Sequence, residues 1–122
     1  MKSEIRMRML ESNLKKELCD AMIRLEIFRE SVTRVSISRD MCYASVYCID
    51  SEAVDSKSDE EAAKRLEEIS YKLSALVKGR WSGYRFPKFR FIADKQIRKE
   101  EKLYQKINEM ILEDEENSED TE

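Results

Sequence analysis

A strand, a turn and a second strand are encoded by residues 38–47, SRDMCYASVY, and by the residues just before them, and this unit decides the fold. Apolar and polar residues alternate over residues 32–38 and again over residues 41–49, which is the period of a β-strand. The connection between them is short enough for a hairpin, and Asp40 is a residue type that bonds to the backbone of its own turn. The sequence therefore predicts a strand hairpin.

The two faces of this hairpin differ in chemistry. The even positions of the second strand are small and apolar, which suits close packing under helices; they are Cys42, Ala44, Val46 and Cys48. Side chains of successive strand residues point to opposite faces, so the odd positions Tyr43, Ser45 and Tyr47 face the other way. We expect one face of the sheet to be covered by helices and the other face to be open.

Three helices and one more strand complete the chain. Ser58 and Glu61 have the form of a capping box that starts the second helix, and Lys78-Gly79 has the form of its C-terminal cap. Apolar residues at helical spacing predict the helices, and alternation predicts the strand. The predicted bounds are residues 3–27, 58–77 and 96–112 for the helices and 86–93 for the strand.

The order of these elements gives the fold class. Helix, strand, strand, long helix, strand and helix form an α+β domain, with a small three-stranded sheet and helices packed on one face. A length of 122 residues suits one domain, which we place at residues 1–112. Residues 113–122 carry seven acidic residues and nothing apolar, so we predict a disordered tail there.

Two motifs resemble those of the ribosome-binding factor A family. The family pattern V-x-V-S-x-D-L-x-x-A-x-V-Y is similar to residues 35–47, and the pattern P-x-L-x-F-x-x-D is similar to residues 87–94. The resemblance implies a type II KH-like domain that binds the immature 30S subunit and its 16S rRNA and assists late maturation of that rRNA. The matching residues are best interpreted as markers of the fold: Ser38, Asp40, Ala44, Val46, Tyr47, Pro87 and Asp94.

One feature of that family is missing from the sequence. The family usually interrupts its long helix with an Ala-x-Gly kink, where ordinary KH domains have a Gly-x-x-Gly phosphate loop. The matching positions here are Ile69-Ser70-Tyr71, which lack both small residues, and Gly79 and Gly83 are four apart. Because the apolar stripe continues through this point, the sequence neither requires nor excludes a kink.

Cysteine content and hydropathy indicate the compartment. Cys19, Cys42 and Cys48 form an odd count without a CxxC pair, so we expect reduced thiols that act as small buried apolar residues. No apolar run approaches the roughly 20 residues needed to cross a bilayer, and the charged N-terminus lacks the apolar core of a signal peptide. We expect a cytoplasmic protein without membrane contact.

Catalytic chemistry has little support in the sequence. The chain has no histidine, which removes the commonest general base and a common metal ligand. No glycine-rich phosphate loop, nucleophile elbow or cysteine with a partner base is present. We expect neither an enzyme nor a bound cofactor, metal or small-molecule substrate.

Charge segregation is the main functional signal. The stretch from Lys72 to Lys99 contains nine basic residues and a single acidic one, Asp94. Its net charge is nine minus one, or +8, although the whole chain has a net charge of −3. Acidic residues concentrate in a polar surface loop around residues 50–61 and in the tail. Clustered cations attract phosphate and release its counterions, which is the main sequence-independent source of RNA affinity. The candidate phosphate contacts are Arg80, Arg85, Lys88 and Arg90, followed by Arg34, Arg39, Lys78 and Lys95.

Aromatic residues are interleaved with these cations. Trp81, Tyr84 and Phe86 are of the type that stacks on unpaired bases, although Phe86 also suits the core and Trp81 suits either role. We expect a monomer that binds 16S rRNA and the small ribosomal subunit. An alternative stays open, in which the open sheet face around Tyr43 and Tyr47 binds a protein partner and the molecule acts as an interaction adaptor.

Overall fold

The computed structural model describes residues 2–53, 55–81 and 85–119; of residues 2–3 and 113–119 it describes the backbone alone. Within these ranges the chain forms four helices and three strands, and this order confirms the predicted α+β, KH-like class. The elements are α1 (Lys2–Arg24), β1 (Glu30–Ile37), β2 (Tyr43–Asp50), α2 (Ser56–Glu68), α3 (Ser70–Lys78), β3 (Lys88–Ala93) and α4 (Lys95–Glu119).

The three strands form one sheet in the order β1-β2-β3. Strand β1 pairs antiparallel with β2, and β2 pairs parallel with β3, so α2 and α3 form the crossover that a parallel pair requires. The predicted role of Asp40 is confirmed: its Oδ1 accepts hydrogen bonds from Ser38 Oγ at 2.7 Å and from Cys42 N at 3.0 Å. These bonds close the turn between β1 and β2.

A glutamate from a neighbouring helix binds each outer strand of the sheet. On β1, the N–H of Ile37 donates to Glu11 Oε1 of α1 at 3.2 Å. On β3, the N–H of Phe91 donates to Glu67 Oε2 of α2 at 3.3 Å. Each edge strand therefore has an outward N–H that is already hydrogen-bonded.

The hydrophobic core lies between one face of the sheet and the helices α1, α2 and α3. The predicted alternation in β2 is confirmed, because Ala44, Val46 and Cys48 are fully buried while Tyr43 is exposed on the opposite face. Phe89 supplies the central side chain of β3, and its ring packs against Phe86 at 5.4 Å between centroids. The helices contribute Leu14, Leu18, Ala21, Met22, Ala63, Leu66, Leu73 and Val77.

The long helix is interrupted at the position where the family has its kink. Ile69 adopts φ −105° and ψ 14°, which ends α2 and starts α3, although neither small residue of the Ala-x-Gly kink is present. The start of α2 corrects the predicted capping box. Asp55 is the N-cap, and its Oδ1 accepts from the N–H of Ser58 at 2.7 Å, so Ser58 receives the cap and does not provide it.

Helix α4 is longer than predicted and differs from the other helices. Its backbone is helical to Glu119, so residues 113–119, predicted to be disordered, continue the helix; residues 120–122 lie outside the described residues. Side chains are partly buried only near its start, at Ile97, Arg98 and Glu101, whereas every residue from Lys102 to Leu112 is exposed. α4 therefore projects from the layer formed by α1, α2 and α3.

The three cysteines are free thiols. Cys48 lies in the core, whereas Cys19 and Cys42 are partly exposed, so the prediction that all three are buried is correct only for Cys48. Burial raises the pKa of the Cys48 thiol to about 12. Across the described helices, none combines the length and the apolar character needed to cross a membrane.

Candidate nucleic-acid interface

The open face of the sheet brings together cations from two separate parts of the sequence. The register places Arg34 opposite Tyr47, Ser45 opposite Arg90, and Tyr43 opposite Lys88. The three cations on this face, Arg34, Lys88 and Arg90, are exposed and are called the sheet-face cations below. β1 and β3 are the outer strands, so these cations lie on both sides of the tyrosines of β2.

Both tyrosines of β2 carry an arginine over the ring. The guanidinium carbon of Arg34 lies 3.9 Å from the centroid of Tyr47, and that of Arg90 lies 3.8 Å from the centroid of Tyr43. Such contacts favour the cation through the ring quadrupole and restrict its side chain. A guanidinium centred over a ring still has N–H donors that the ring does not use, and these can bind an anion.

The sheet-face cations differ in their ion pairs. Arg34 Nε lies 3.6 Å from the buried carboxylate of Asp94, which also accepts from the N–H groups of Gln96 and Ile97 at the start of α4. For Lys88 and Arg90, no acidic group forms an ion pair within the described part of the chain. Their charges remain available to a phosphate.

Two further predicted residues lie at the turn end of this face. Arg39 is exposed in the turn between β1 and β2. Arg85 Nη1 lies 3.4 Å from Cys42 Sγ, and the N–H of Lys88 donates to the carbonyl of Cys42, so Arg85 flanks the start of β3. Arg39 and Arg85 therefore extend the positive charge of the sheet-face cations beyond the strands.

The remaining predicted contacts do not share this face. Arg80 Nη1 lies 3.7 Å from Glu17 of α1, and Lys95 Nζ lies 3.9 Å from Glu60 of α2, so both are on the helical side of the sheet. Lys78 is exposed at the end of α3. The eight predicted residues thus divide into five at the open face and its turn, and three elsewhere.

Two of the aromatic residues that were predicted to stack on bases pack against the hydrophobic core. Trp81 is partly buried, donates its indole N–H to the carbonyl of Arg85 at 3.0 Å, and meets Phe86 edge-on at 6.1 Å between centroids. Phe86 packs against Phe89, and both Trp81 and Phe86 are partly buried against the core. Tyr84 lies outside the described residues.

Arg98 corrects the sequence-based charge count. It was counted among the surface cations, but its side chain is 11% exposed and donates to both carboxylate oxygens of Asp59, at 2.8 and 2.9 Å. Its Nη2 also donates to the carbonyl oxygens of Asp50 and Ala53, at 2.9 Å each. Asp50 and Asp59 are buried, so the segment around residues 50–61 is not simply the solvated acidic loop that was predicted.

The charge state of this buried pair follows from its contacts. Burial alone would raise the pKa of Asp59, but the hydrogen bonds from Arg98 and from the N–H of Asp50 hold that pKa below its ordinary value. The same contact with Asp59 raises the pKa of Arg98. Both groups are therefore charged at neutral pH and serve the fold.

Other surfaces offer less to a polyanion. An open cleft of about 520 Å³ between α2 and β3 is lined by Glu60, Lys64, Glu67 and Lys95, whose charges cancel. Among the described residues, no three His, Cys, Asp or Glu side chains are grouped to hold a metal ion. The open sheet face is the surface where cations are exposed together and supported by aromatic rings.

Comparisons with known proteins agree with this architecture. A family model described as ribosome-binding factor A matches residues 6–114. A search among curated proteins found no match to the sequence.

Three solved structures illustrate the similarity of fold. The crystal structure of ribosome-binding factor A from Thermus thermophilus superposes with a TM-score of 0.61 at 27% identity, over 71% of this chain and 94% of that chain. The solution NMR structure of a Thermotoga maritima protein, described as a candidate ribosome binding factor A, gives a TM-score of 0.63 at 27% identity. This match covers 75% of this chain and 89% of that chain. A homology model of the Thermus thermophilus factor, fitted into a cryo-EM map of its complex with 30S, gives a TM-score of 0.55 at 28% identity. This match covers 69% of this chain and 90% of that chain.

Proposed function

The chain belongs to the ribosome-binding factor A family, and from this premise we propose that it binds the immature 30S subunit through the open face of its sheet and assists late maturation of 16S rRNA. The Thermus thermophilus relative, fitted into a map of a 30S complex, supports the choice of partner. The observation that carries the proposal is the set of sheet-face cations, Arg34, Lys88 and Arg90, around Tyr43 and Tyr47.

The sheet-face cations bind rRNA through its phosphates. Each contact that neutralises a phosphate releases condensed counterions, so affinity falls steeply as salt increases. The tyrosines act on the arginines, because each ring limits the orientations of the guanidinium that it supports. Arg39 and Arg85 add charge at the turn end of the face.

Assistance to maturation requires no catalytic residue. A ligand shifts an equilibrium between two rRNA conformations only by the difference between its affinities for them. Binding the conformation that precedes the final processing step therefore increases the population on which the processing enzymes act. In this mechanism the protein is a non-enzymatic factor that leaves the subunit once the rRNA is mature.

The alternative function, a protein adaptor that uses the open sheet face, is less well supported by the geometry. An aromatic protein interface uses the faces of its rings, and one face of Tyr43 and one face of Tyr47 are occupied by Arg90 and Arg34. The salt dependence of binding separates the two functions, because an apolar interface responds little to salt.

The test is co-sedimentation of the protein with immature small subunits over a range of salt concentrations. Replacing the three sheet-face cations with glutamine (Arg34→Gln, Lys88→Gln, Arg90→Gln) should weaken binding and reduce the slope of log affinity against log salt by about 3, roughly 0.9 for each lost phosphate contact. The matched control removes three exposed cations from α1 and α2: Lys16→Gln, Arg24→Gln and Lys57→Gln.

The control variant should keep the salt slope of the wild type, since its cations lie on the helical side. Unchanged affinity and slope in a folded sheet-face variant would reject the phosphate contacts and favour the adaptor. The maturation role is tested in cells that lack the protein: precursor 16S rRNA should accumulate, and the wild type but not the sheet-face variant should restore processing.

A further inference from the structure

Helix α4 exposes a stripe of large apolar side chains that no described element covers. The exposed fractions are 58% for Leu103, 67% for Tyr104, 41% for Ile107, 65% for Met110 and 50% for Ile111. At 3.6 residues per turn these five side chains fall within an arc of about 120° on the helix surface. Single exposed apolar residues are ordinary, but a contiguous stripe of this kind marks an interaction surface.

The start of α4 is fixed firmly to the domain, so the stripe projects in a defined direction. Asp94 Oδ1 accepts from the N–H groups of Gln96 and Ile97, at 3.1 Å each, and caps the first turn. One turn later Arg98 binds Asp59 and two backbone carbonyls of the segment before α2. The stripe begins at Leu103, just beyond these contacts.

The charges that follow the stripe in the sequence indicate the chemistry of its partner, whereas Lys102 and Lys106 lie beside the stripe itself. From Glu109 to Glu122 the sequence has eight acidic residues and no basic one. Such a segment is repelled by RNA phosphates, and RNA offers no apolar groove for the stripe. A protein surface with an apolar groove, and with basic residues where the C-terminal end of α4 lies, matches both features, in the recognition mode where an amphipathic helix lies in a groove.

We propose that α4 docks by its apolar stripe into a groove on a basic protein of the small ribosomal subunit. The inference rests on the proposed function, because it adds a second partner on the particle that the sheet face binds. Two linked contacts on one particle raise the overall affinity above that of either contact, and they restrict binding to particles that carry both partners in place.

The first experiment maps the partner of α4 directly. Tyr104 is replaced by the photoreactive amino acid p-benzoylphenylalanine, and the full chain is irradiated after co-sedimentation with small subunits. We expect a cross-link to a basic subunit protein. The same amino acid at Asn108, on the polar side of the helix, is the control and should give little product. A cross-link from position 104 to rRNA, to a second copy of the chain, or to nothing at all would overturn the proposal.

The second experiment measures the contribution of the stripe to affinity. The variant Leu103→Gln, Ile107→Gln, Met110→Gln should bind small subunits at least about tenfold more weakly, because three apolar side chains lose their burial in the groove. Its salt slope should equal that of the wild type, since no phosphate contact is removed. The control variant Gln105→Ala, Asn108→Ala should stay within about twofold of the wild type, as expected for surface positions outside the contact.

The two proposals fail in different ways. If the wild type binds and the stripe variant, with its helical content preserved, binds equally well, the inference on α4 is wrong and the sheet-face function stands. If the wild type does not co-sediment with small subunits, both are wrong. If the stripe variant loses affinity together with salt slope, α4 contacts rRNA and the protein partner is rejected.

Discussion

Replacing Arg98 with methionine should destabilise the fold strongly although the position contributes nothing to the sheet face. Asp59 is 1% exposed, and it would lose the guanidinium that binds both of its carboxylate oxygens. The carbonyls of Asp50 and Ala53 would lose a donor as well. Removing one partner of a buried ion pair typically costs about 3–5 kcal/mol. A domain of this length has a stability of roughly 6–18 kcal/mol, so the loss is a large fraction of it.

The loss of stability caused by Arg98→Met should also depend on pH. In the wild type the pKa of Asp59 lies below its ordinary value, so its contribution to stability is lost as pH falls through that folded-state pKa. In the variant burial remains without Arg98, which places the folded-state pKa above that of the unfolded chain. Protonation of Asp59 then favours the folded variant. The loss in free energy of unfolding, relative to the wild type, should therefore become smaller as pH falls from 7 towards 4, by about 1.36 kcal/mol for each unit of pKa difference.

Urea denaturation at pH 7 and pH 4.5 measures both effects. At pH 7 the midpoint should drop by at least about 1 M, given a slope of roughly 1–3 kcal/mol per molar urea. Arg90→Met is the matched control, and it should cost less than about 1 kcal/mol because Arg90 is exposed. The reasoning would be refuted if Arg98→Met lost as little stability as the control, or if it lost the same stability at both pH values.

Other parts of the chain give three more expected outcomes. Glu26 has φ 58° at the end of α1, so Glu26→Gly should raise the free energy of unfolding by about 0.5–1 kcal/mol in thermal denaturation. No gain in that measurement would argue against backbone strain at this position. The Cys48 thiol is buried with its pKa raised to about 12, so iodoacetamide at pH 8 should leave it unmodified in the native protein, as mass spectrometry will show; rapid labelling would contradict its burial. Truncation after Leu112 should change stability by less than about 0.5 kcal/mol, because residues 113–122 have no apolar side chain to bury, and a larger loss would place them within the folded domain.

Local patterns predicted the elements and the faces of the sheet. The alternation in β2 was sufficient to place Ala44, Val46 and Cys48 in the core, because side chains of successive strand residues point to opposite faces whatever the strand pairs with. The turn at Asp40 was equally local, since its hydrogen bonds join residues two positions apart. Such contacts depend on neighbours in the sequence.

Contacts between distant residues were not predictable in this way. Arg98 and Asp59 are 39 positions apart, and no local pattern distinguishes a buried arginine from the exposed cations beside it. The candidate site divided for the same reason: Arg90 reaches Tyr43 only because β3 pairs parallel with β2 in one particular register, whereas Arg80 turns to Glu17. The break at Ile69 escaped prediction because the apolar stripe continues through it with helical spacing.

The glutamates on the two outer strands have a consequence for self-association. An exposed strand edge is a template for pairing with another chain, and proteins protect such edges with helices and charged side chains. Here Glu11 and Glu67 occupy outward N–H groups of β1 and β3, so an incoming strand would have to displace a carboxylate at each edge. A three-stranded sheet with one uncovered face thereby resists growing into an intermolecular sheet, and aggregation through strand addition is disfavoured while the flat face stays accessible for binding.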